Sequence, residues 1–171
     1  MTLKIVYRDP KALVPYERNA RMHSPEQIEQ IRASIRTFGF TNPVLLREDG
    51  KSIGAGHGRV TAALAEEIGS IPTIIIPGLT EAQWRAYIIA DNKLALNAGW
   101  DESLLAFEIG ELKGLDFNIS LLGFDDGELK ALMAPPPEPP EEFKEFGEGI
   151  NTEHSCPKCG YRWSGKQASA E

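Results

Sequence analysis

The sequence predicts a compact α/β (α+β) domain, a small mixed sheet with surrounding helices, followed by a short cysteine-bearing tail. Three observations predict it. Short apolar runs of strand type alternate with amphipathic helical stretches through roughly the first hundred residues. A proline run, Pro135-Pro136-Pro137-Glu138-Pro139-Pro140, can join neither helix nor sheet and marks an extended spacer. Beyond it stand the only two cysteines, in Cys156-Pro157-Lys158-Cys159, a metal or redox spacing rather than a disulfide framework. The 171 residues suffice for one ordinary domain and an appendage. The expected organisation is a main domain over 1–97, accessory helices over 98–134, a proline- and acid-rich linker over 135–150 and a tail over 151–171.

Each element follows from local chemistry. Leu3 to Tyr7 reads as an opening strand, and a loop rich in turn formers and charge follows. Ser24 before Pro25 is a good cap before a good first helical residue. Ile28, Ile31 and Ile35 recur at helical spacing, so a helix is expected over 25–37, closed by Gly39. Pro43 to Arg47 and Ser52-Ile53 read as two short strands around a turn at 48–51. Gly54-Ala55-Gly56-His57-Gly58-Arg59 then feeds a helix expected from Val60 to Glu67. Pro72 and Pro77 bracket an apolar strand, Thr73 to Ile76. Thr80 with Gln83 is a capping-box pair opening a helix to about Leu96. Two further helices are expected over 101–113 and 125–133.

Composition narrows the function classes. No apolar run approaches bilayer length, and Met1-Thr2-Leu3-Lys4 opens no signal segment, so a cytoplasmic protein that engages no membrane is expected. A formal net charge of −7 argues against gripping duplex DNA with the whole surface. The charge is uneven: residues 1–60 carry ten Lys/Arg against six Asp/Glu, whereas 61–134 carry four against twelve. An anion would therefore meet the N-terminal third, although such an excess is also the ordinary signature of a solvated face.

The strongest chemical feature is the strand, glycine turn and helix at 53–60. A glycine-rich turn feeding a helix N-terminus exposes free backbone N–H groups in a region of positive helix potential. Gly54, Gly56 and Gly58 would let backbone approach a phosphate, Arg59 would add a charge-assisted contact, and His57 would donate a hydrogen bond or act as acid or base. The same glycines equally suit a tight turn that needs them for geometry only. Neither a Walker A loop nor a dinucleotide fingerprint is present. A second feature is Ala90-Asp91-Asn92-Lys93, in which a carboxylate beside an amide suits oxygen ligation of magnesium; on a helix such a pair is also an ordinary solvent face. A third is the helix over 25–37 with its tail: Arg32 and Arg36 share a face, and Phe38 and Phe40 could contact a base or simply join the core.

Together, Ser34-Ile35…Gly39-Phe40-Thr41-Asn42-Pro43, Ile53…Gly56-His57-Gly58-Arg59…Ala62 and Ala90-Asp91-Asn92-Lys93 resemble, in order and spacing, the N-terminal domain of the ParB/sulfiredoxin superfamily over about residues 3–97. The resemblance implies a compact ParB/sulfiredoxin-like fold holding Mg2+ with a nucleoside triphosphate, CTP favoured. It places Gly39, Asn42 and Pro43 at the nucleotide, Asn42 standing where the family has Gln. It places Gly56, His57, Gly58 and Arg59 at the phosphates, His57 and Gly58 replacing two charged positions of the family's box. It places Asp91 and Asn92 at magnesium and phosphate. No cysteine neighbours the His57 loop, so sulfinic-acid reduction is not expected. Residues 101–134 are short and acidic, so the centromere reading of segregation proteins is not implied either. The Gly-His-Gly-Arg form looks most like phage and prophage ParB-like domains that sit before DNA methyltransferases; no methyltransferase motif occurs here.

In the tail, Cys156, Cys159 and His154 offer up to three ligands of a zinc knuckle, a fourth being needed from elsewhere. The alternative is a tail whose cysteines hold no metal. Three functions are open. The first is a nucleotide- and metal-binding module in DNA transactions, with nucleotide and DNA as partners and a homodimer as one assembly. The second is a metal-dependent nuclease or phosphotransferase using His57 and Asp91, with Glu17 a weaker candidate. The third is an adaptor recruiting a DNA methyltransferase or another phage DNA-processing protein.

Overall fold

The computed structural model describes residues 3–134 and 152–165. These fall into two units, Met1–Ala134 and Pro135–Glu171. The 135–150 linker lies outside the described residues.

In the first unit four strands form one mixed sheet in the order β1-β4-β2-β3. Strand β1 (Ile5–Arg8) runs antiparallel to β4 (Ile71–Ile75), β4 runs parallel to β2 (Val44–Leu46), and β2 runs antiparallel to β3 (Ile53–Ala55). Strand β4 starts at Ile71 and ends at Ile75, so Pro72 lies inside the strand rather than before it. The sheet tolerates this because β2 joins β4 only from Thr73 onward; at Pro72 only β1 is paired, through Tyr7.

Helix α1 (Pro25–Phe38) begins where Ser24 accepts the Gln27 N–H and ends at Gly39, as the capping chemistry predicts. Helix α2 spans His57–Ala65, three residues earlier than expected from sequence and ending two residues sooner. The cause is Gly56, whose left-handed φ of 99° makes it the N-cap, so that His57, Gly58 and Arg59 form the first helical turn instead of a loop. Helix α3 (Glu81–Ala95) carries the full Thr80–Gln83 capping box. Helices α4 (Glu102–Gly114) and α5 (Asp126–Leu132), with a 3-10 turn at Ile119–Leu122 between them, complete the unit.

The core gathers Leu13, Val44, Leu46, Ile53, Val60, Ala63 and Ile71, with Phe40, Ile68 and Ile75 packed against it. Phe40 is thus core, while Phe38 is half exposed and stacks on Phe117 at 6.2 Å. Arg32 and Arg36 are turned to structure: both bind Glu66 at the end of α2 and Glu29 on their own helix, at 2.5–2.8 Å. This network clamps α1 to α2 and uses the charge that the sequence left free for an anion.

The second unit shows a short hairpin, β5 (His154–Ser155) against β6 (Arg162–Trp163). The Cys156 N–H donates to the Tyr161 carbonyl at 2.8 Å, and the Gly160 N–H to the Cys156 carbonyl at 2.9 Å. Among the described residues no helix is long and apolar enough to cross a membrane.

Candidate functional site

The site is built where three pieces of chain converge: the β3–α2 junction, helix α3 and the loop before α1. Backbone geometry at the junction is dictated by two glycines. Gly56 has the left-handed conformation, and a Cβ there would also meet the Arg59 guanidinium at 3.1 Å. Gly54, one step into β3, is required by packing: a Cβ would lie 2.4 Å from Cη2 of the buried Trp84. Trp84 belongs to α3, so this close approach of backbone to ring sets α3 against the sheet and brings its next turns toward Gly56.

The result is a cavity of about 180 Å³ lined by the Ala55–Arg59 turn, Asp91 and Asn92 of α3, and Asn19, Arg21 and His23 of the loop, with Ile31 below. The two motifs separated by some thirty residues of sequence are therefore one site. Gly56, His57, Gly58, Arg59, Asp91 and Asn92 all line it. Gly39 and Asn42 line an adjoining recess of about 170 Å³ that shares Arg59 with the first. Pro43 leads into β2 and Gly54 lies under Trp84; neither lines these cavities. Glu17 lies on the exposed loop away from both.

Backbone donors, a guanidinium, a carboxylate and an amide face the same cavity. No side chain caps the first turn of α2, so the N–H groups of 57–59 have no competing side-chain acceptor. The Arg59 guanidinium is half-buried and makes no ion pair or hydrogen bond among the described residues. Burial pulls its pKa down, opposed by the charge of Asp91 and by Tyr87. Asn92 donates its amide N–H to the Ile88 carbonyl at 2.8 Å, which holds the side chain and leaves its oxygen for a ligand. Asp91 accepts from the Tyr87 hydroxyl at 3.2 Å, and burial followed by this carboxylate pushes the Tyr87 pKa up to about 12.

His57 is more constrained than its sequence position suggests. Its Nε2 accepts the Tyr16 N–H at 3.2 Å, tying the 16–23 loop to the glycine turn. An imidazole that accepts at Nε2 carries its proton at Nδ1 when neutral. Burial first, and the neighbouring His23 second, hold the His57 pKa below the usual range, which favours that neutral form. His23 and Arg21 are site residues that the motifs did not reveal. Each sits in an irregular loop whose folding over the turn is a tertiary event; the only sequence hint was the cationic excess of the first sixty residues.

A magnesium ion would find one carboxylate and one amide oxygen here, a donor set suited to an ion that leans on substrate phosphates. No group of three or more His, Cys, Asp or Glu able to hold a metal occurs among the described residues. In the tail the His154 ring lies against Trp163 at 5.6 Å. Backbone N–H groups of Lys158 and Cys159, then the Cys159 side chain, hold the Cys156 thiol below its usual pKa.

Comparisons with known proteins bear on the fold and the family. The family model of the ParB-methyltransferase HTH domain matches residues 103–149, a stretch in which composition alone carried no such signal; α4 and α5 are its described part. In solved structures the chain is similar to the C-terminally truncated chromosome-partitioning protein ParB from Caulobacter crescentus complexed with CTP-gamma-S. That match has a TM-score of 0.62 at 20% identity and covers 76% of this chain and 77% of that one. It is also similar to sulfiredoxin from Arabidopsis thaliana, with a TM-score of 0.42, 22% identity, and 50% and 97% of the two chains covered. Among curated proteins, the ParB-like nuclease domain-containing protein YnaK of Escherichia coli (strain K12) is 54% identical over 81 residues, 47% of this chain and 92% of that protein. With that identity over nearly the whole of a relative, and the ParB fold beneath it, the chain belongs to the ParB-like domain family.

Proposed function

We propose that this protein is a nucleotide-phosphate-binding module acting in DNA transactions, in which the first turn of α2 would hold the phosphates and Asp91 and Asn92 would hold magnesium. One observation carries the reading. A half-buried, unpaired Arg59 and an uncapped helix N-terminus face the same small cavity as a carboxylate and an amide. An anion supplies the partner that Arg59 lacks, and a hard cation offsets the repulsion between that anion and Asp91. The DNA setting is supported by the helix-turn-helix description over 103–149 and by the fold shared with a partitioning protein. The adaptor reading merges with this one: a domain next to a helix-turn-helix of the ParB-methyltransferase type suits recruitment of a DNA methyltransferase.

A second reading, metal-dependent nucleic-acid cleavage, is supported by 54% identity to a ParB-like nuclease domain-containing protein. In this arrangement His57 would offer its Nδ1–H as a hydrogen-bond donor to a phosphate oxygen, since Nε2 is engaged by Tyr16. Asp91→Asn would then abolish metal-dependent turnover while leaving anion binding intact.

The binding reading is tested by ligand-induced thermal shift. Magnesium with a nucleoside triphosphate is expected to raise the melting temperature of the parent and not of Arg59→Ala or Asn92→Ala. Equal shifts in parent and variants would sink it.

A further inference from the structure

Beyond Asn92 the phosphate cavity opens into a larger recess of about 420 Å³, between the 16–21 loop and the outer face of α3. The two share Asn19, Arg21 and Asn92, while the Gly39–Asn42 recess shares Arg59 with the phosphate cavity. Three recesses thus run in sequence across the glycine turn, with the phosphate position in the middle.

The large recess differs from the central cavity in chemistry. Its floor is apolar: Ile88 is buried, while Ile89 on α3 is 66% exposed and Leu96 at its C-cap 59% exposed. Its rim is cationic, formed by Arg18, Arg21, Arg85 and Lys93, and no carboxylate lines it. The side chains of these four make no ion pair among the described residues. In residues 61–134 only four cations stand against twelve acids, and two of the four, Arg85 and Lys93, are on this rim. An apolar floor within a ring of unpaired cations matches a flat apolar body carrying repeated negative charge, which is the chemistry of a nucleoside within a phosphodiester chain.

We propose that this recess takes a nucleoside of a single-stranded nucleic acid whose neighbouring phosphate sits on the glycine turn. The ligand is then a strand of two or more nucleotides, with a base on each side of the bound phosphate. A free nucleotide fills the centre and the Gly39–Asn42 recess; the strand fills all three. Arg85, Lys93 and Arg18 hold the flanking phosphates, and Ile89 and Leu96 carry the base. This rests on the reading that the turn of α2 binds phosphate.

Fluorescence anisotropy of a short labelled single-stranded oligonucleotide, as DNA and as RNA, tests it on the full chain with magnesium; calorimetry of a nucleoside triphosphate runs alongside. The double variant Arg85→Ala/Lys93→Ala and the single variant Ile89→Glu change exposed residues only, so each retains the fold. Each is expected to weaken the oligonucleotide by about tenfold or more, and the double variant to lower its salt slope by about 1.4, while triphosphate binding stays within about twofold. Arg59→Ala weakens both ligands. An oligonucleotide that binds the double variant and Ile89→Glu as well as the parent overturns the strand proposal. So does equal loss of the triphosphate in those variants. Both ligands surviving Arg59→Ala would overturn the phosphate reading instead. The DNA and RNA arms identify which strand is preferred.

Discussion

Arg59 is the residue on which the proposed phosphate binding would depend most. It was legible in the sequence as the end of the glycine box, and so was the Asp91-Asn92 pair, because both depend on short-range chemistry: small residues before a helix, and polar residues within one. What could not be read was which groups the loop would add. Arg21 and His23 line the cavity from a loop that the Tyr16 N–H ties to His57, a contact spanning 41 residues. Replacing Arg59 by Ala removes a charge-assisted contact of roughly 1.5–3 kcal/mol, so triphosphate affinity should fall by about 10- to 150-fold with little change in melting temperature. His57 makes a separate prediction. Its folded-state pKa is lowered by burial, so the unfolded chain takes up its proton first as pH falls. The stability it contributes is intact above about pH 6.5 and is lost as pH drops through the folded-state value. The parent's melting temperature should therefore fall more steeply than that of His57→Gln on moving from neutral to mildly acidic pH. Parallel profiles would show that the imidazole is not held neutral.

At the scale of elements, the caps at Ser24 and at Thr80 with Gln83 were readable because they are encoded within four residues. The start of α2 was not, since Gly-His-Gly lacks helix propensity; the left-handed Gly56 and the burial of Gly58, Val60 and Ala62, with Gly58 packed under His23 and Ile31, override it. Gly54 is the instructive case. The sequence suggested a phosphate contact, whereas the structure gives its small size another cause, the Trp84 ring 2.4 Å from where a Cβ would be. Gly54→Ala should cost about 1–3 kcal/mol by overpacking and also weaken anion binding, because α3 carries Asp91 and Asn92. Chemical denaturation with parallel binding measurements checks this; loss of stability with unaltered binding would show that α3 moves independently of its site. Thr80→Ala, removing one half of a capping box, should cost about 1 kcal/mol without altering the site.

For the whole molecule, the alternation of strands and helices was enough to identify the class, and three ordered motifs were enough to identify the family to which the 54% identical relative also points. Strand order was beyond reach: the placement of β4 between β1 and β2 joins segments more than sixty residues apart. The contact division at Ala134 falls where the proline run begins, and the expectation is that ending the chain there leaves the melting temperature and anion binding of the first unit unchanged. Scanning calorimetry of the shortened chain checks that. The central claim is that one cavity, assembled from the α2 turn and α3, binds the phosphates of a nucleotide with magnesium. Titration calorimetry with CTP, ATP, GTP and ADP, each with and without magnesium, tests it most directly. The prediction is magnesium-dependent binding that is lost in Arg59→Ala and Asn92→Ala. Absence of binding to all four, or binding indifferent to both substitutions, would contradict it.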